Sequence, residues 1–361
     1  MSRAGAALAL SACALLAACG VLPPRPAGPL VPVGAGHLPP LTDDLDVASL
    51  RAAVERTVPA YERTADAAAA AAARRLLDII EAVPDPEARR AAVARAFRVV
   101  RVREPLLLTA YYEPELAGSL SPDTTFRHPL YARPPDLVDL DPATLDAACG
   151  SCRRLAGRVE DGHLRPYPAR AEIDAGALGG RGLEIGWASD PIGVFVLHVQ
   201  GSGRLRLADG TLVGVRYAGS NGRPYTSLGQ TLVARGLLPA GQTSLADIRR
   251  CLEALPAEEQ TALLATNERY TFFRVAEGEP QGTLGVDLTP GRTIATDPRL
   301  VPLGTLAYLA TPSVHRFVVS QDTGAAVVGA HADMFLGAGA EAETQAGRLR
   351  ERGTLYLLRP R

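Results

Sequence analysis

Three aspartates near the C-terminus set the strongest constraint on this chain. Asp297, Asp322 and Asp333 each sit beside a short β-type run and close to glycine or proline. The runs read Gly291-Arg292-Thr293-Ile294-Ala295-Thr296-Asp297-Pro298, Val318-Val319-Ser320-Gln321-Asp322-Thr323-Gly324 and His331-Ala332-Asp333-Met334-Phe335-Leu336-Gly337. β-Branched and aromatic residues suit a pleated, half-buried surface, and glycine or proline interrupts it. The pattern predicts carboxyls carried to strand ends, where a groove can use them. No metal-ligand spacing and no phosphate-binding glycine loop competes with them.

The N-terminus points to an export route. Arg3 precedes Ala4 to Ala18, an apolar stretch of small residues too short to span a bilayer comfortably. It ends in Leu16-Ala17-Ala18-Cys19, so residues 1–18 read as a secretory signal. The tetrad resembles a bacterial lipobox, which implies cleavage before Cys19 and lipid on its thiol. Residues 19–42 are rich in proline and glycine and read as a stiff tether. Lipid at Cys19 attaches the body to a membrane when more than one acyl chain is added.

Net charge is −1, from 38 basic residues, all arginine, against 39 acidic ones. Such a balance argues against nucleic acid as a partner, since duplex binding needs a basic face. It leaves a glycan polymer open. Cys149-Gly150-Ser151-Cys152 suggests half a zinc site or redox chemistry, but zinc needs about four ligands and no second pair is suitably spaced. A small surface disulfide or an incidental loop pair is the simpler reading. No role is assigned to Cys251.

The first part of the chain reads as helical: Asp43 to Val58, alanine-rich Thr64 to Glu81, and a third helix capped by Asp85-Pro86 and running to Phe97. Strand patterns follow at Leu106 to Tyr112 and Ile192 to Gln200. Asp209-Gly210 marks a hairpin between Leu205-Arg206-Leu207 and Thr211-Leu212-Val213. Two helices come next, Thr226 to Arg235 stopped by Gly236, and one begun by Ser244. Strands return at Tyr270 to Val275, Arg292 to Ala295, Leu306 to Leu309, Arg316 to Val319 and Thr354 to Leu358. This order predicts a β-rich body built from both ends of the chain, with a second β-rich domain inserted.

Asp333 has apolar neighbours, which would desolvate its carboxyl and raise its pKa. A carboxyl protonated near neutral pH can protonate the departing oxygen of a glycosidic bond. On spacing alone, a turn aspartate capping a helix over Glu341 to Arg350 is the simpler reading. Asp322-Thr323-Gly324 matches the aspartic-protease signature, but occurs once, so a protease would need a symmetric homodimer. The simpler role for Asp322 is to hold turn amides, and Asp297-Pro298 reads as a turn. Tyr111 and Tyr112 offer aromatic surface for sugar rings, although neighbours on a strand point to opposite faces. Gln200-Gly201-Ser202-Gly203 either presents polar groups to a glycan or forms a glycine turn.

From Leu108 to the C-terminus the chain closely resembles the membrane-bound lytic murein transglycosylase A family. The blocks that carry the resemblance are Thr109-Ala110-Tyr111-Tyr112-Glu113-Pro114, His128-Pro129-Leu130-Tyr131, Arg170-Ala171-Glu172-Ile173, Val199-Gln200-Gly201-Ser202-Gly203, Tyr217-Ala218-Gly219-Ser220-Asn221-Gly222-Arg223-Pro224-Tyr225 and the three-aspartate region. The resemblance implies a mainly β protein with N-terminal helices. Residues 43–112 and 275–361 would form a double-ψ β-barrel, and residues 113–274 an inserted second barrel. It implies murein glycan in the groove between them, held by Tyr111, Tyr112, Gln200, Gly201, Ser202, Gly203, Tyr217 and Asn221. It implies non-hydrolytic cleavage to 1,6-anhydro-muramic ends, with Asp333 as the acid and Asp322 and Asp297 in support. No cofactor or metal is implied. A lipid anchor on the periplasmic face of the outer membrane follows from the lipobox and Gly20. Cell-wall synthesis or division proteins are further candidate partners. A non-catalytic murein-binding envelope lipoprotein and a murein hydrolase are the alternatives.

Overall fold

The structure, a computed structural model, describes residues 28–140 and 155–361. Cys19, the signal segment and the Cys149/Cys152 pair lie outside the described residues.

Strand β1 (Leu30–Pro32) comes first, then helices α1 (Val47–Arg63), α2 (Ala67–Ala82) and α3 (Pro86–Ala96). Each helix has an aspartate N-cap, Asp46, Asp66 or Asp85, whose side chain accepts a first-turn amide. Next come β2 (Phe97–Val102), β3 (Leu106–Glu113), β4 (Glu115–Ser119), β5 (His128–Tyr131), β6 (Val138–Leu140), β7 (Leu155–Glu160), β8 (His163–Pro166), the single turn α4 (Arg170–Glu172) and β9 (Glu184–Ala188). Helix α5 (Pro191–Gln200), β10 (Ser202–Arg206), β11 (Leu212–Ser220), α6 (Leu228–Ala234), α7 (Leu245–Glu253), α8 (Ala257–Leu264) and β12 (Thr271–Val275) follow. The chain ends with β13 (Thr293–Thr296), β14 (Leu306–Ala310), β15 (His315–Asp322), β16 (His331–Ala338), α9 (Gly339–Arg348) and β17 (Glu351–Pro360).

Strands β3, β17, β14, β15, β13 and β16 form a closed ring, because β17 pairs with β3 as well as with β14. The pairs β13–β15 and β16–β3 are parallel, and the other ring pairs are antiparallel. This is the expected double-ψ barrel. Its interior holds Leu106, Leu108, Ile294, Ala307, Leu309, Val318, Ala332, Met334, Leu355 and Leu357, all buried. Burial of each large apolar side chain contributes about 1.5–3 kcal/mol. Helices α1 to α3 cover the outside of the ring through Val54, Leu76, Ile80 and Val93, which meet Tyr308, Phe317 and Leu358.

Strand β4 begins one residue after β3, and β12 closes a second sheet in the order β12-β11-β10-β4-β9-β5. A bridge between Ala132 and Phe273 joins its two edges. Leu130, Leu197, Leu205, Val215 and Phe273 fill its centre.

Two expectations are corrected. Residues 192–200 form a helix rather than a strand. Asp190 caps it through the Ile192 amide at 2.9 Å, Pro191 opens it, and Gly201 at φ 81° ends it. The helix is buried nearly all round, so its apolar pattern carries no helical period. The part of the predicted tether within the described residues is also not free. Leu30 to Pro32 pair with Val102 to Val100 of β2, and Leu38 and Leu41 are buried against the helices. Proline is tolerated there because β1 is an edge strand. The Thr266 side of the fold adds α8, a helix the sequence reading omitted.

Candidate active site

Side chains alternate along β16. Ala332 and Met334 point into the barrel core, while His331 and Asp333 point outward. Asp333 is opposite Ala295 of β13 on one side and Thr109 of β3 on the other. Ala295 is in turn opposite Asp322 at the end of β15, across an irregularity in the register. Four strands therefore present one rung: Asp322, Ala295, Asp333, Thr109. Ala295 puts only a methyl group between the two carboxylates.

The two acids differ in their surroundings. Asp322 Oδ1 accepts from the Thr283 amide and hydroxyl, each at 2.9 Å, and from its neighbour's amide, Thr323 N, at 2.8 Å. Its Oδ2 accepts from the Tyr111 hydroxyl at 2.8 Å. Asp333 has one such contact, Thr109 Oγ1 to Oδ1 at 2.7 Å. Burial pushes the Asp333 carboxyl up to about 6, the Thr109 bond opposes this, and the charge of Asp322 adds to it. Asp333 therefore keeps a useful protonated fraction close to neutral pH.

Asp297 has the opposite character. Arg299 holds it down to about 2, helped by the amides of Gly329 and Arg299. Both of its oxygens are used: Arg299 Nε at 2.9 Å and Nη2 at 2.8 Å, and Gly329 N at 2.9 Å. It has no proton to give near neutral pH. It ties the turn after β13 to the loop that leads into β16.

A cavity of about 800 Å³ lies over the rung. One wall belongs to the barrel, with Tyr111, Asp322 and Asp333. The other belongs to the second sheet and its helices, with Gln200, Ser202, Tyr217 and Arg274. The Gln200 side chain also joins the walls, since its Oε1 accepts from the Tyr112 amide at 3.1 Å. Tyr217 is 51% exposed, an aromatic face free for a ring to lie on. Among the described residues no group of three or more His, Cys, Asp or Glu is placed to hold a metal.

Comparison with known proteins agrees with this architecture. Residues 107–274 match the MltA specific insert domain and residues 292–359 the 3D domain. A membrane-bound lytic murein transglycosylase from Agrobacterium tumefaciens superposes with a TM-score of 0.78 and 31% identity, over 92% of this chain and 97% of that one. The chain belongs to the membrane-bound lytic murein transglycosylase A family. The Vibrio cholerae member is 30% identical over 266 residues, which span 70% of this chain and 65% of that protein. The Escherichia coli MltA structure with bound chitohexaose shares the fold, at a TM-score of 0.75 and 22% identity, over 92% of this chain and 95% of that one.

Within this family member the residues named from the sequence separate into two sets. Asp333, Asp322, Tyr111, Gln200, Gly201, Ser202 and Tyr217 line one cavity. The other four do not line it. Tyr112 points away, into a buried cluster with Val196, Ala342 and Ala346. Gly203 is buried, and a Cβ there would sit 2.7 Å from the Pro114 carbonyl. Asn221 is 1% exposed and ties loops together through Pro168 O, Glu268 O and the Tyr270 amide. Asp297 is the loop staple described above. The Asp333 neighbourhood is a strand, not the cap of a helix, since α9 begins at Gly339. Gln321, one residue before the Asp-Thr-Gly run, is fully buried and donates to Ala53 O and Thr57 Oγ1, so it serves the α1 interface.

Sequence reading did not assign Thr109, His331 or Thr283 to the site. Thr109 lies two residues before Tyr111 on the same strand face, a signal that alternation supplies once the strand is accepted. Thr283 lies in a loop that carries no such signal.

One prediction arises from the rung itself. Replacing Asp322 with Asn removes the nearby negative charge, and the Asp333 pKa falls. The midpoint of its titration then moves to lower pH. Carbon-13 NMR titration of the Asp333 carboxyl in D322N checks this, and an unmoved midpoint would refute the coupling.

Proposed function

We propose that this chain is a lytic transglycosylase that cleaves the β-1,4 bond between N-acetylmuramic acid and N-acetylglucosamine in murein, without water. The observation that carries the reading is Asp333: a carboxyl raised to about 6, facing an 800 Å³ groove, with Asp322 on the same rung. Chitohexaose bound to the Escherichia coli protein supports a glycan as occupant of such a groove.

The chemistry needs one acid. Asp333 donates its proton to the glycosidic oxygen as the C1–O bond breaks. Positive charge grows at the muramic C1, where the carboxylates of Asp333 and Asp322 oppose it. The C6 hydroxyl of the same sugar forms the new C1–O6 bond, and its proton returns to Asp333. Acid and base are then one residue, restored at the end of each turnover. The nucleophile is intramolecular, which supplies an effective concentration on the order of 10⁵ M or more. Asp297, held ionised, serves by fixing the loop before β16.

The lipobox at Cys19 supports attachment to the periplasmic face of the outer membrane, with murein glycan strands as the partner. No helix of the described residues is long and apolar enough to cross a membrane. Digestion of murein sacculi in ¹⁸O-labelled water tests the reaction class. The expected products end in 1,6-anhydro-muramic acid without ¹⁸O. Reducing ends that carry the label would make the enzyme a hydrolase instead.

A further inference from the structure

Thr109 does more than touch Asp333. Its Oγ1 is 2.7 Å from Asp333 Oδ1 and 2.8 Å from His331 Nε2. The other ring nitrogen, His331 Nδ1, is 3.3 Å from the Ala326 carbonyl. The three side chains thus form a chain from the acid, through a hydroxyl, to an imidazole at the partly exposed edge of the site.

A threonine hydroxyl has a single hydrogen. The chain can therefore be ordered in only two ways. In one order Asp333 Oδ1–H donates to Thr109, Thr109 donates to His331 Nε2, and Nδ1–H donates to Ala326. Neutral histidine satisfies all three bonds. In the other order His331 Nε2–H donates to Thr109, and Thr109 donates to Oδ1. The acid proton is then left on Oδ2, free for a substrate oxygen, and the Ala326 contact is given up. The first order makes one more bond and is favoured while the carboxyl is protonated; the ionised carboxylate takes its bond from Thr109 instead. A bound glycosidic oxygen supplies the missing acceptor and favours the second. Burial pulls the His331 pKa down, the Ala326 carbonyl opposes this and Arg350 adds to it, and both orders use the neutral ring.

We infer that Thr109 and His331 are positioning residues that park the acid proton on Asp333 Oδ1 and release it to Oδ2 when a glycosidic oxygen is presented. This rests on the reading of Asp333 as the acid. The other charged or titratable groups facing Asp333 are Asp322 on β15 and Tyr111 on β3. β13 contributes only Ala295 to the rung. These neighbours are unchanged in the variants below, so they set a common background.

The two partners push Asp333 in opposite directions. Thr109 can donate to the ionised carboxylate, so its loss favours the protonated form. His331 draws the threonine hydrogen away, so its loss frees Thr109 to serve the carboxylate. The test is carbon-13 NMR titration of the Asp333 carboxyl in the purified chain, with the pH profile of murein turnover alongside. T109V is expected to raise the Asp333 midpoint by about one pH unit, the effect of one charge-assisted bond. T109S is expected to titrate like the wild type. H331A is expected to lower the midpoint, and H331A in the T109V background to add nothing further. Unmoved midpoints, shifts of the same sign, or additive shifts would overturn the chain. Midpoints that move as expected in an enzyme giving no anhydro product would uphold the chain and defeat only the assigned reaction.

Discussion

Asp333→Asn is expected to abolish the formation of anhydro-muramic products from murein. The amide has nearly the same shape but no proton of suitable acidity. General acid catalysis supplies about 10²–10⁴-fold. In the proposed mechanism the same group also takes the C6 hydroxyl proton, so the loss should reach or exceed the upper end. The neighbours offer no substitute. Arg299 holds the Asp297 pKa down to about 2, and Asp322 already accepts four hydrogen bonds.

The fold provides a control on that result. The Asp333 pKa is raised from the ordinary carboxyl value of 3.8 to about 6. The folded state therefore binds this proton more tightly than the unfolded chain. By linkage, the stability associated with the bound proton is fully present below the unfolded value and is lost as pH rises through 6. At pH 7 the wild type buries a charge that the amide does not carry. D333N should then melt no lower than the wild type at pH 7, while losing activity. A variant that is inactive and also melts well below the wild type would have lost its fold, not its acid. Undiminished anhydro product from a folded D333N would end the assignment. Murein affinity separates the binder reading: a non-catalytic lipoprotein would show no product from either protein, with equal binding.

The sequence made the barrel legible because its strands are short, apolar and punctuated. β3, β13, β14 and β15 fall where alternation and Gly or Pro boundaries put them. What alternation could not show is the ring closure. That depends on β17 pairing with β3 through Glu351 to Gly353 and then with β14 through Thr354 to Leu358. Helix α5 was hidden for a related reason. A segment buried on all sides has no amphipathic period, and Ile192 to Gln200 fits a central strand as well as a helix. The deciding marks were its ends, Asp190-Pro191 and Gly201, the same pair of signals that identified α3 at Asp85-Pro86. Site residues divide by the same logic. Tyr111 and Asp333 are reached through strand periodicity. Thr283 reaches Asp322 from a loop, Gly203 is packed against Leu197 and Pro114, and Asn221 is spent on backbone groups. A run of family-like residues marks a site's surroundings as readily as its contacts.

The crossing between the two sheets leads to the second large effect. Glu113 ends β3, separated from the start of β4 by Pro114 alone, and is fully buried. Its Oε1 lies 2.7 Å from Arg216 Nη1, a charge contact not aligned as a hydrogen bond, and its Oε2 accepts from Arg204 Nε at 3.1 Å. Arg216 in turn donates to Gly203 O at 3.1 Å and to Gly278 O at 2.8 Å. Gly278 lies just past β12, on the return path to the barrel. One carboxylate thus ties the outgoing crossing, the β10–β11 hairpin and the returning crossing. Removing one partner of a buried ion pair costs about 3–5 kcal/mol, because the other charge is left uncompensated. Glu113→Gln, which keeps the size, should therefore lower the melting temperature by on the order of 10 °C. It should also weaken murein turnover, since Gln200 and Ser202 reach the groove just before Gly203, whose carbonyl this clamp holds. Glu113→Leu with Arg216→Met removes both charges, so stability should largely return. Turnover should not return, because Gly278 and Gly203 lose their Arg216 donor in this double variant. Equal recovery of both properties would make the clamp a matter of stability alone, and an E113Q variant that melts like the wild type would show that the backbone carbonyls already offset the Arg216 charge.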